Sequence, residues 1–179
     1  MEHFYESIEG WFDYSNIYTQ MVDAAADHSH FVEVGSYYGR SAAFMLVEII
    51  NSGKDIKLDC VDPMHQETLH LNLTRVEGRY THKGLPSVEA AASYEDASID
   101  FVWIDGNHDY DAVIDDINSW LPKLKLGGWI GGHDYNHPGH PGVKQACDEL
   151  IPDHKEIPSS IPDTPHGNVT SWLWQKPQL

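Results

Sequence analysis

The sequence has little cysteine, few basic residues and no long hydrophobic run. Its two cysteines, Cys60 and Cys147, lie in segments with the patterns of a buried strand and a helix. They are predicted to be core thiols, so a disulfide-stabilised scaffold is excluded. Only 11 Lys and Arg stand against 28 Asp and Glu, which gives a net charge of −17. Because such a surface repels phosphate groups, nucleic acid and anionic membranes are not expected as partners.

The apolar segments are short. The longest, residues 42–50, is interrupted by Glu48 and cannot span a bilayer. The N-terminus has no basic segment followed by an apolar one, so we expect no secretory signal. A cytoplasmic location is therefore expected. The 179 residues are 41% hydrophobic and 11% aromatic. This composition excludes intrinsic disorder and predicts one domain with a sizeable core.

Strand-like and helix-like segments alternate along the chain. Short apolar runs that end at glycine or an acid predict strands at residues 30–35, 56–62, 99–105 and 129–132. Two further strands are predicted at residues 79–82 and, from alternating apolar residues, at 168–175. Amphipathic spacing predicts helices at residues 12–26, 40–50, 86–94, 110–121 and 141–150. This alternation favours an α/β fold with a doubly wound, mostly parallel sheet and right-handed crossovers. Residues 1–28 form a helical N-terminal segment of this single domain, and residues 29–179 form its core.

The most clearly predicted strands end in acids or in acid–imidazole pairs. In an open α/β sheet, ligands bind beyond the carboxyl ends of the strands, where the strand order reverses. The chemistry-bearing ends are residues 33–39, Asp62, residues 105–108 and residues 133–135. The sequence therefore predicts that the functional site lies along this edge of the sheet.

The first of these ends is a glycine loop. Gly35 and Gly39 permit a tight turn into the next helix, where Ser41 is placed to cap the first turn. Tyr37 occupies the place of the middle glycine in a dinucleotide fingerprint, which disfavours nicotinamide nucleotides. Asp62 follows Gly39 by 62 − 39 = 23 residues and is placed to accept hydrogen bonds from ribose hydroxyls. A cationic nucleoside without phosphates, such as S-adenosylmethionine, suits this acidic pocket. The alternative is that both glycines merely form the turn.

The other two ends combine carboxylates with imidazoles. Asp105 and Asp134 close strands that we expect to be neighbours, and His133 adds an imidazole. Such ligands suit Mg²⁺, Mn²⁺ or Fe²⁺ better than a structural zinc ion. A divalent ion would lower the pKa of a substrate hydroxyl, and His108 is the candidate general base. The alternative is that residues 105–108 are ordinary turn residues.

Three blocks of residues together resemble a known family. They are Glu33-x-Gly35-x-x-x-Gly39-Arg40-Ser41, Ile104-Asp105-Gly106-x-His108-x-Tyr110 and Gly131-Gly132-His133-Asp134-Tyr135. In this order and spacing they resemble class I S-adenosylmethionine-dependent methyltransferases, in particular the small metal-dependent O-methyltransferases that act on sugars. The likeness runs from about residue 8 to about residue 150. It implies a seven-stranded sheet whose last two strands, residues 155–157 and 168–175, form an antiparallel hairpin.

The resemblance also implies roles for individual residues. The cofactor-binding residues would be Glu33, Gly35, Ser36, Tyr38, Gly39, Ser41, Asp62, Ser87 and Asp105, with Ser87 near adenine. The metal ligands would be Asp105, His133 and Asp134, with Mg²⁺ as the expected ion. The catalytic residues would be Asp105 and His108, which act on the hydroxyl of a sugar or another small molecule. Where the sugar methyltransferases have two adjacent acids, this chain has His133-Asp134.

Several alternatives remain open from the sequence. The acid–imidazole residues could serve a metal-dependent hydrolase, or the chain could bind S-adenosylmethionine without catalysis. His133, His137 and His140 could form a zinc cluster, although a loop that faces the substrate is the preferred interpretation. Residues 10–14 could cover the acceptor site or belong to the core. The aromatic N-terminal segment is also compatible with a homodimer.

Overall fold

The computed structural model describes residues 1–161 and 169–178. The strands are β1 (His30–Val34), β2 (Lys57–Val61), β3 (Tyr80–Lys83), β4 (Ile99–Ile104), β5 (Leu124–Gly132), β6 (Lys155–Pro158) and β7 (Thr170–Gln175). The α-helices are α1 (Ser15–Ala24), α2 (Arg40–Ser52), α3 (Gln66–Asn72), α4 (Ser87–Ala91), α5 (Tyr110–Trp120) and α6 (Pro141–Leu150). Short 3₁₀ turns cover Tyr5–Ser7, Thr74–Val76 and Leu121–Lys123.

All seven strands form one sheet in the order β3-β2-β1-β4-β5-β7-β6. Strands β1 to β5 pair in parallel, whereas β7 runs antiparallel to both β5 and β6. This arrangement confirms the predicted fold class and its antiparallel C-terminal hairpin. The strand order reverses between β1 and β4, so the carboxyl ends of these two strands, followed by Gly35 and Asp105, flank the switch point.

Two hydrophobic clusters cover the two faces of the sheet. On one face, helices α1 and α2 pack with the N-terminal segment, and Phe12, Tyr18 and Trp103 are buried there. On the other face, α4, α5 and α6 pack around Trp120. Both cysteines are buried and free, as expected for core thiols. Among the described residues, no helix combines the length and the apolar character that crossing a membrane requires.

Several predicted boundaries were wrong. Helix α1 begins at Ser15 rather than at Phe12, which is buried ahead of it. Strand β5 begins at Leu124 rather than at residue 129, because Leu124 pairs with Ile99 across an irregularity in the register. Helix α4 is shorter than the predicted 86–94. Residues 63–78 contain α3 and a 3₁₀ turn. Residue 168, the predicted start of the last strand, lies outside the described residues.

Candidate active site

The glycine loop brings β1 into contact with the end of β4. Gly35 has a φ of +87°, and a Cβ atom there would overlap the carbonyl oxygen of Asp105. Only glycine fits this position. Gly39, also at φ +87°, is the N-cap residue of α2, so the predicted capping role of Ser41 was wrong. The buried Ser41 instead lies in the first turn of α2 and lines a cavity.

Asp62 follows β2 and is held by two backbone groups. Its Oδ2 accepts a hydrogen bond from the Tyr37 amide at 2.8 Å, and its Oδ1 accepts one from the Met64 amide at 2.8 Å. These bonds fix a largely buried carboxylate at the rim of a cavity. Because each carboxylate oxygen can accept more than one hydrogen bond, Asp62 keeps the capacity to bind two ligand hydroxyls.

Two cavities lie along the carboxyl ends of the strands. One, about 670 Å³, is lined by Asp62, Ser87 and residues of α5, and we call it the cofactor-side cavity because Asp62 and Ser87 are the residues expected to bind the cofactor. The other, about 300 Å³, is lined by Ser36, Ser41 and the acid–imidazole residues, and we call it the acceptor-side cavity because His108, which lines it, is the expected general base. Both are lined by Gly35, Tyr37, Asp105 and His108. The two cavities therefore meet at the switch point of the sheet.

The acid–imidazole residues form one connected network. His108 Nε2 lies 2.9 Å from Asp134 Oδ2 and 3.3 Å from Asp105 Oδ1. His133 Nδ1 lies 3.3 Å from Asp134 Oδ2 and 4.0 Å from Asp105 Oδ1. The network exists because β4 and β5 are parallel neighbours, so that residues 105 and 134 leave the sheet side by side. The predicted proximity of Asp105, His108, His133 and Asp134 is thus present in the fold.

Charge within this network shifts the pKa values of its members. Burial alone would lower the pKa of His108, but hydrogen bonds with Asp105 and Asp134 raise it to about 9. Burial likewise opposes protonation of His133, yet Asp13 and Asp134 raise its pKa to about 10. For Asp134, burial would raise the pKa, but the two imidazoles hold it well below its usual range. Both imidazoles are therefore cationic at neutral pH in the metal-free protein.

The same residues have the geometry of a cation site. Ligand atoms of Asp105, His133 and Asp134 all lie within 4.8 Å of one another, as do those of His108, Asp134 and His140. The first set offers two carboxylates and one imidazole, which fits a six-coordinate divalent ion. His133, the imidazole of this set, also contacts Asp13. Its buried Nε2 lies 2.8 Å from Asp13 Oδ1, although the angle is not that of a hydrogen bond. The predicted ligand set therefore fits a metal ion by its donor chemistry.

The N-terminal segment supplies two site residues, Asp13 and Tyr14, to which the sequence analysis gave no individual role. Tyr14 donates a hydrogen bond from its hydroxyl to Asp105 Oδ2 at 2.9 Å, and Asp13 lies against His133. Trp11 is 41% exposed and lines the acceptor-side cavity, whereas Phe12 is 4% exposed in the core. Residues 10–14 thus contribute to both the site wall and the core. The aromatic composition of this segment was the only signal in the sequence.

Three predicted cofactor residues do not line either cavity. Glu33 is buried behind the loop and accepts a hydrogen bond from the Tyr18 hydroxyl at 2.7 Å. Tyr38 stacks on Tyr37 with a ring-centroid distance of 3.8 Å. Gly39 packs against the side chain of Leu73. Their positions support the loop from behind, whereas Gly35, Ser36, Ser41, Asp62, Ser87 and Asp105 face the cavities.

A family model described as "Methyltransferase domain" matches residues 32–135, more than half of the chain. The matched span starts in β1 and ends just after Asp134, so it includes the glycine loop, Asp62 and the ends of β4 and β5. The chain belongs to this methyltransferase family. The family confirms the class of enzyme expected from the sequence, a class I S-adenosylmethionine-dependent methyltransferase.

Individual relatives are distant. The chain is 28% identical over 143 residues to "Uncharacterized protein R132" of Acanthamoeba polyphaga mimivirus; the match covers 71% of this chain but only 61% of that protein. The O-methyltransferase NovP has a similar structure, with a TM-score of 0.71 and 15% identity over 92% of this chain and 80% of that chain. SMU.1697c from Streptococcus mutans, solved with SAH, has a TM-score of 0.70 and 10% identity over 94% and 99% of the two chains. At these identities the structures show a shared fold.

Proposed function

We propose that this methyltransferase transfers the methyl group of S-adenosylmethionine to a hydroxyl oxygen of a small molecule, such as a sugar. The observation that carries the proposal is the meeting of the two cavities at Gly35 and Asp105. A nucleoside in the larger cavity would direct its sulfonium group toward this junction. An acceptor in the smaller cavity would reach the same point from the side of the acid–imidazole network.

The cofactor end rests on hydrogen-bonding capacity and charge. Asp62 has free acceptor positions for two ribose hydroxyls, and Ser87 lies farther along the same cavity. A sulfonium carries a positive charge, and Asp105 and Asp134 lie near the junction. Transfer requires the acceptor oxygen, the methyl carbon and the sulfur to lie on one line. Such alignment can supply about 7–11 kcal/mol of the rate enhancement.

The acceptor end rests on the network around His108. A divalent ion held by Asp105, His133 and Asp134 would lower the pKa of the acceptor hydroxyl. His108 would take the hydroxyl proton, and the two carboxylates that lie 2.9–3.3 Å from its Nε2 would orient the ring and stabilise the imidazolium that forms. While those carboxylates are unneutralised they keep a proton on His108, so the free base forms only when a cation offsets their charge. This coupling favours a metal-dependent reaction.

The class of acceptor is inferred from the volume of the acceptor-side cavity and from the net charge of the protein. A cavity of about 300 Å³ has room for a sugar or a similar small molecule. The net charge of −17 opposes binding to nucleic acid and to anionic membranes. We therefore place the enzyme with small-molecule O-methyltransferases, and we keep the cytoplasmic location and the homodimer as part of the proposal.

The proposal is tested by methyl transfer from labelled S-adenosylmethionine to a panel of sugars, phenols and amines. The purified protein is assayed with Mg²⁺, with Mn²⁺ and with EDTA. Formation of SAH together with a labelled ether product in the metal-containing reactions supports the proposal. Label recovered only on nitrogen acceptors would contradict the hydroxyl assignment. Equal rates with EDTA would contradict the role given to the metal.

A further inference from the structure

The structure separates the three histidines that the sequence suggested as a zinc cluster, His133, His137 and His140. Among the described residues, His140 groups instead with His108 and Asp134, and ligand atoms of these three residues all lie within 4.8 Å of one another. We call this group the second ligand set. The proposed reaction uses two of its members separately and gives no role to the group as a whole.

The three side chains of the second ligand set converge on one wall of the acceptor-side cavity. His108 follows β4, Asp134 follows β5, and His140 directly precedes α6. His108 Nε2 lies 2.9 Å from Asp134 Oδ2, and the rings of His108 and His140 stack with their centroids 4.4 Å apart and their planes 24° apart. All three residues line the cavity. An ion bound to them would therefore have an open coordination position toward the cavity.

The donor atoms of this set differ from those of the first ligand set, which consists of Asp105, His133 and Asp134. The first set offers two carboxylates and one imidazole, whereas the second offers two imidazoles and one carboxylate. Carboxylate ligands suit Mg²⁺ and Mn²⁺, whereas imidazole ligands suit Zn²⁺, Ni²⁺ and Cu²⁺. Zn²⁺ is commonly held by three protein ligands with a fourth position open. The second set therefore fits a different kind of ion from the first.

An ion in the second ligand set would disable the candidate general base. A neutral imidazole has one nitrogen with a free lone pair, while the other nitrogen carries the proton. Once that lone pair is bound to an ion, His108 can no longer take the proton of an acceptor hydroxyl. The same ion would also draw on Asp134, which the first ligand set requires. Occupation of the second set would therefore oppose the proposed reaction.

We propose that His108, Asp134 and His140 form an inhibitory Zn²⁺ site in the wall of the acceptor-side cavity. The site itself rests on the convergence of the three side chains and on their donor chemistry. Its inhibitory effect rests on the proposed function, in which His108 is the base. His140 acts only in the inhibition and takes no part in the methyl transfer.

The binding experiment titrates Zn²⁺ into the full-length protein in the presence of excess Mg²⁺, by isothermal titration calorimetry. His140→Gln should weaken Zn²⁺ binding by at least about 100-fold, because loss of a residue that merely supports a metal ligand already costs about 10- to 100-fold. His140 is the N-cap residue of α6, but its side chain makes no capping hydrogen bond, so the variant should fold normally.

Two further variants locate the bound zinc. His137→Gln is the matched control, because His137 stacks on His140 with centroids 4.5 Å apart but belongs to neither ligand set. It should keep the wild-type affinity. Asp105→Asn alters only the first ligand set and should also keep it. Loss of zinc binding in Asp105→Asn with none in His140→Gln would place the ion in the first set and overturn the inference. Absence of zinc binding to the wild type would overturn it as well.

The activity experiment measures how Zn²⁺ inhibits methyl transfer in the presence of Mg²⁺, with each protein compared with its own rate without zinc. The wild type should lose activity as the site fills, and His140→Gln should need more zinc by the same factor as its loss of affinity. Equal zinc sensitivity of the two proteins would overturn the inhibitory role. If zinc binds as expected but the wild type transfers no methyl group, the proposed function and the inhibitory role fail together, whereas the zinc site stands.

Discussion

The backbone of Asp105 fills the space that a side chain at position 35 would need, so Gly35 and Asp105 hold the carboxyl ends of β1 and β4 in contact. Asp105 N also donates a hydrogen bond to Val34 O at 2.9 Å. The contact places Asp105, a candidate metal ligand, directly beside the glycine loop. The two halves of the proposed reaction are joined at this point.

Gly35→Ala should therefore be severely destabilising. The new Cβ would overlap a backbone carbonyl that cannot move without breaking the β1–β4 pairing, and φ +87° adds strain. Gly53→Ala is the matched control, because Gly53 has φ +71° with open space around it. The control should lose about 1–2 kcal/mol of unfolding free energy, the cost of the left-handed conformation. Urea denaturation should show a loss at Gly35 that exceeds the control by more than about 2 kcal/mol. Equal losses would contradict the contact.

Asp62→Asn should weaken SAH binding by about 10- to 100-fold, because it replaces a charged acceptor of ribose hydroxyls with an amide. Asn can still accept one of the two backbone hydrogen bonds from Tyr37 and Met64, so the loop should largely persist. Calorimetry measures the change, with the exposed Asp153→Asn as the control. An SAH affinity within twofold of the wild type would show that Asp62 does not bind the ribose.

His108→Gln should lower kcat by about 10²–10⁴-fold, the usual contribution of a general base. SAH affinity should change by less than threefold, because His108 is assigned to the acceptor proton rather than to the cofactor. His137→Gln is the control, since His137 lines the same cavity but belongs to neither candidate ligand set. A normal kcat in His108→Gln, or a loss of SAH binding that accounts for the whole effect, would remove His108 from the mechanism.

Two histidine–aspartate pairs give a matched test of burial. His30 lies 2.9 Å from the fully buried Asp59, whereas His28 lies 2.9 Å from Asp55, with both side chains 78% exposed. Burial would raise the pKa of Asp59, but hydrogen bonds from His30 and Tyr94 lower it below its ordinary value. Asp59→Asn should cost about 1.5–3 kcal/mol at pH 7, the range for hydrogen bonds to a charged group, and Asp55→Asn less than about 1 kcal/mol.

The pH dependence of the Asp59 contribution follows from the sign of its shift. A carboxyl whose pKa is lower in the folded state stabilises the protein above the unfolded value, about 3.9. That contribution disappears as the pH falls through the folded pKa. The stability difference between wild type and Asp59→Asn should therefore be largest near neutral pH and shrink below about pH 4. A difference that stays constant from pH 7 to pH 2 would contradict this linkage.

The sequence predicted the parts of the site that depend on strand ends. Glycine at residue 35 and acids at residues 62, 105 and 134 follow buried apolar runs, and parallel pairing then brings them to one edge of the sheet. Asp13 and Tyr14 could not be found in this way, because their contacts with His133 and Asp105 cross most of the chain.

Other features depend on packing that periodicity does not reveal. Asp116 has the spacing of an exposed helical acid, yet α5 turns it toward the cavity and buries it. Strand β5 begins at Leu124 and includes Gly127 and Gly128, because an irregularity in its pairing with β4 accommodates these residues. Ser41 has the sequence position of a helix cap, but Gly39 takes that position in the left-handed conformation.

A crystal structure of the protein with SAH is the most direct test of the central claim, that the two cavities form one cofactor and acceptor site. The account predicts that both ribose hydroxyls lie within hydrogen-bond distance of Asp62 and that the sulfur lies at the junction beside Gly35 and Asp105. SAH bound elsewhere, or with its sulfur facing away from the acid–imidazole network, would contradict the account.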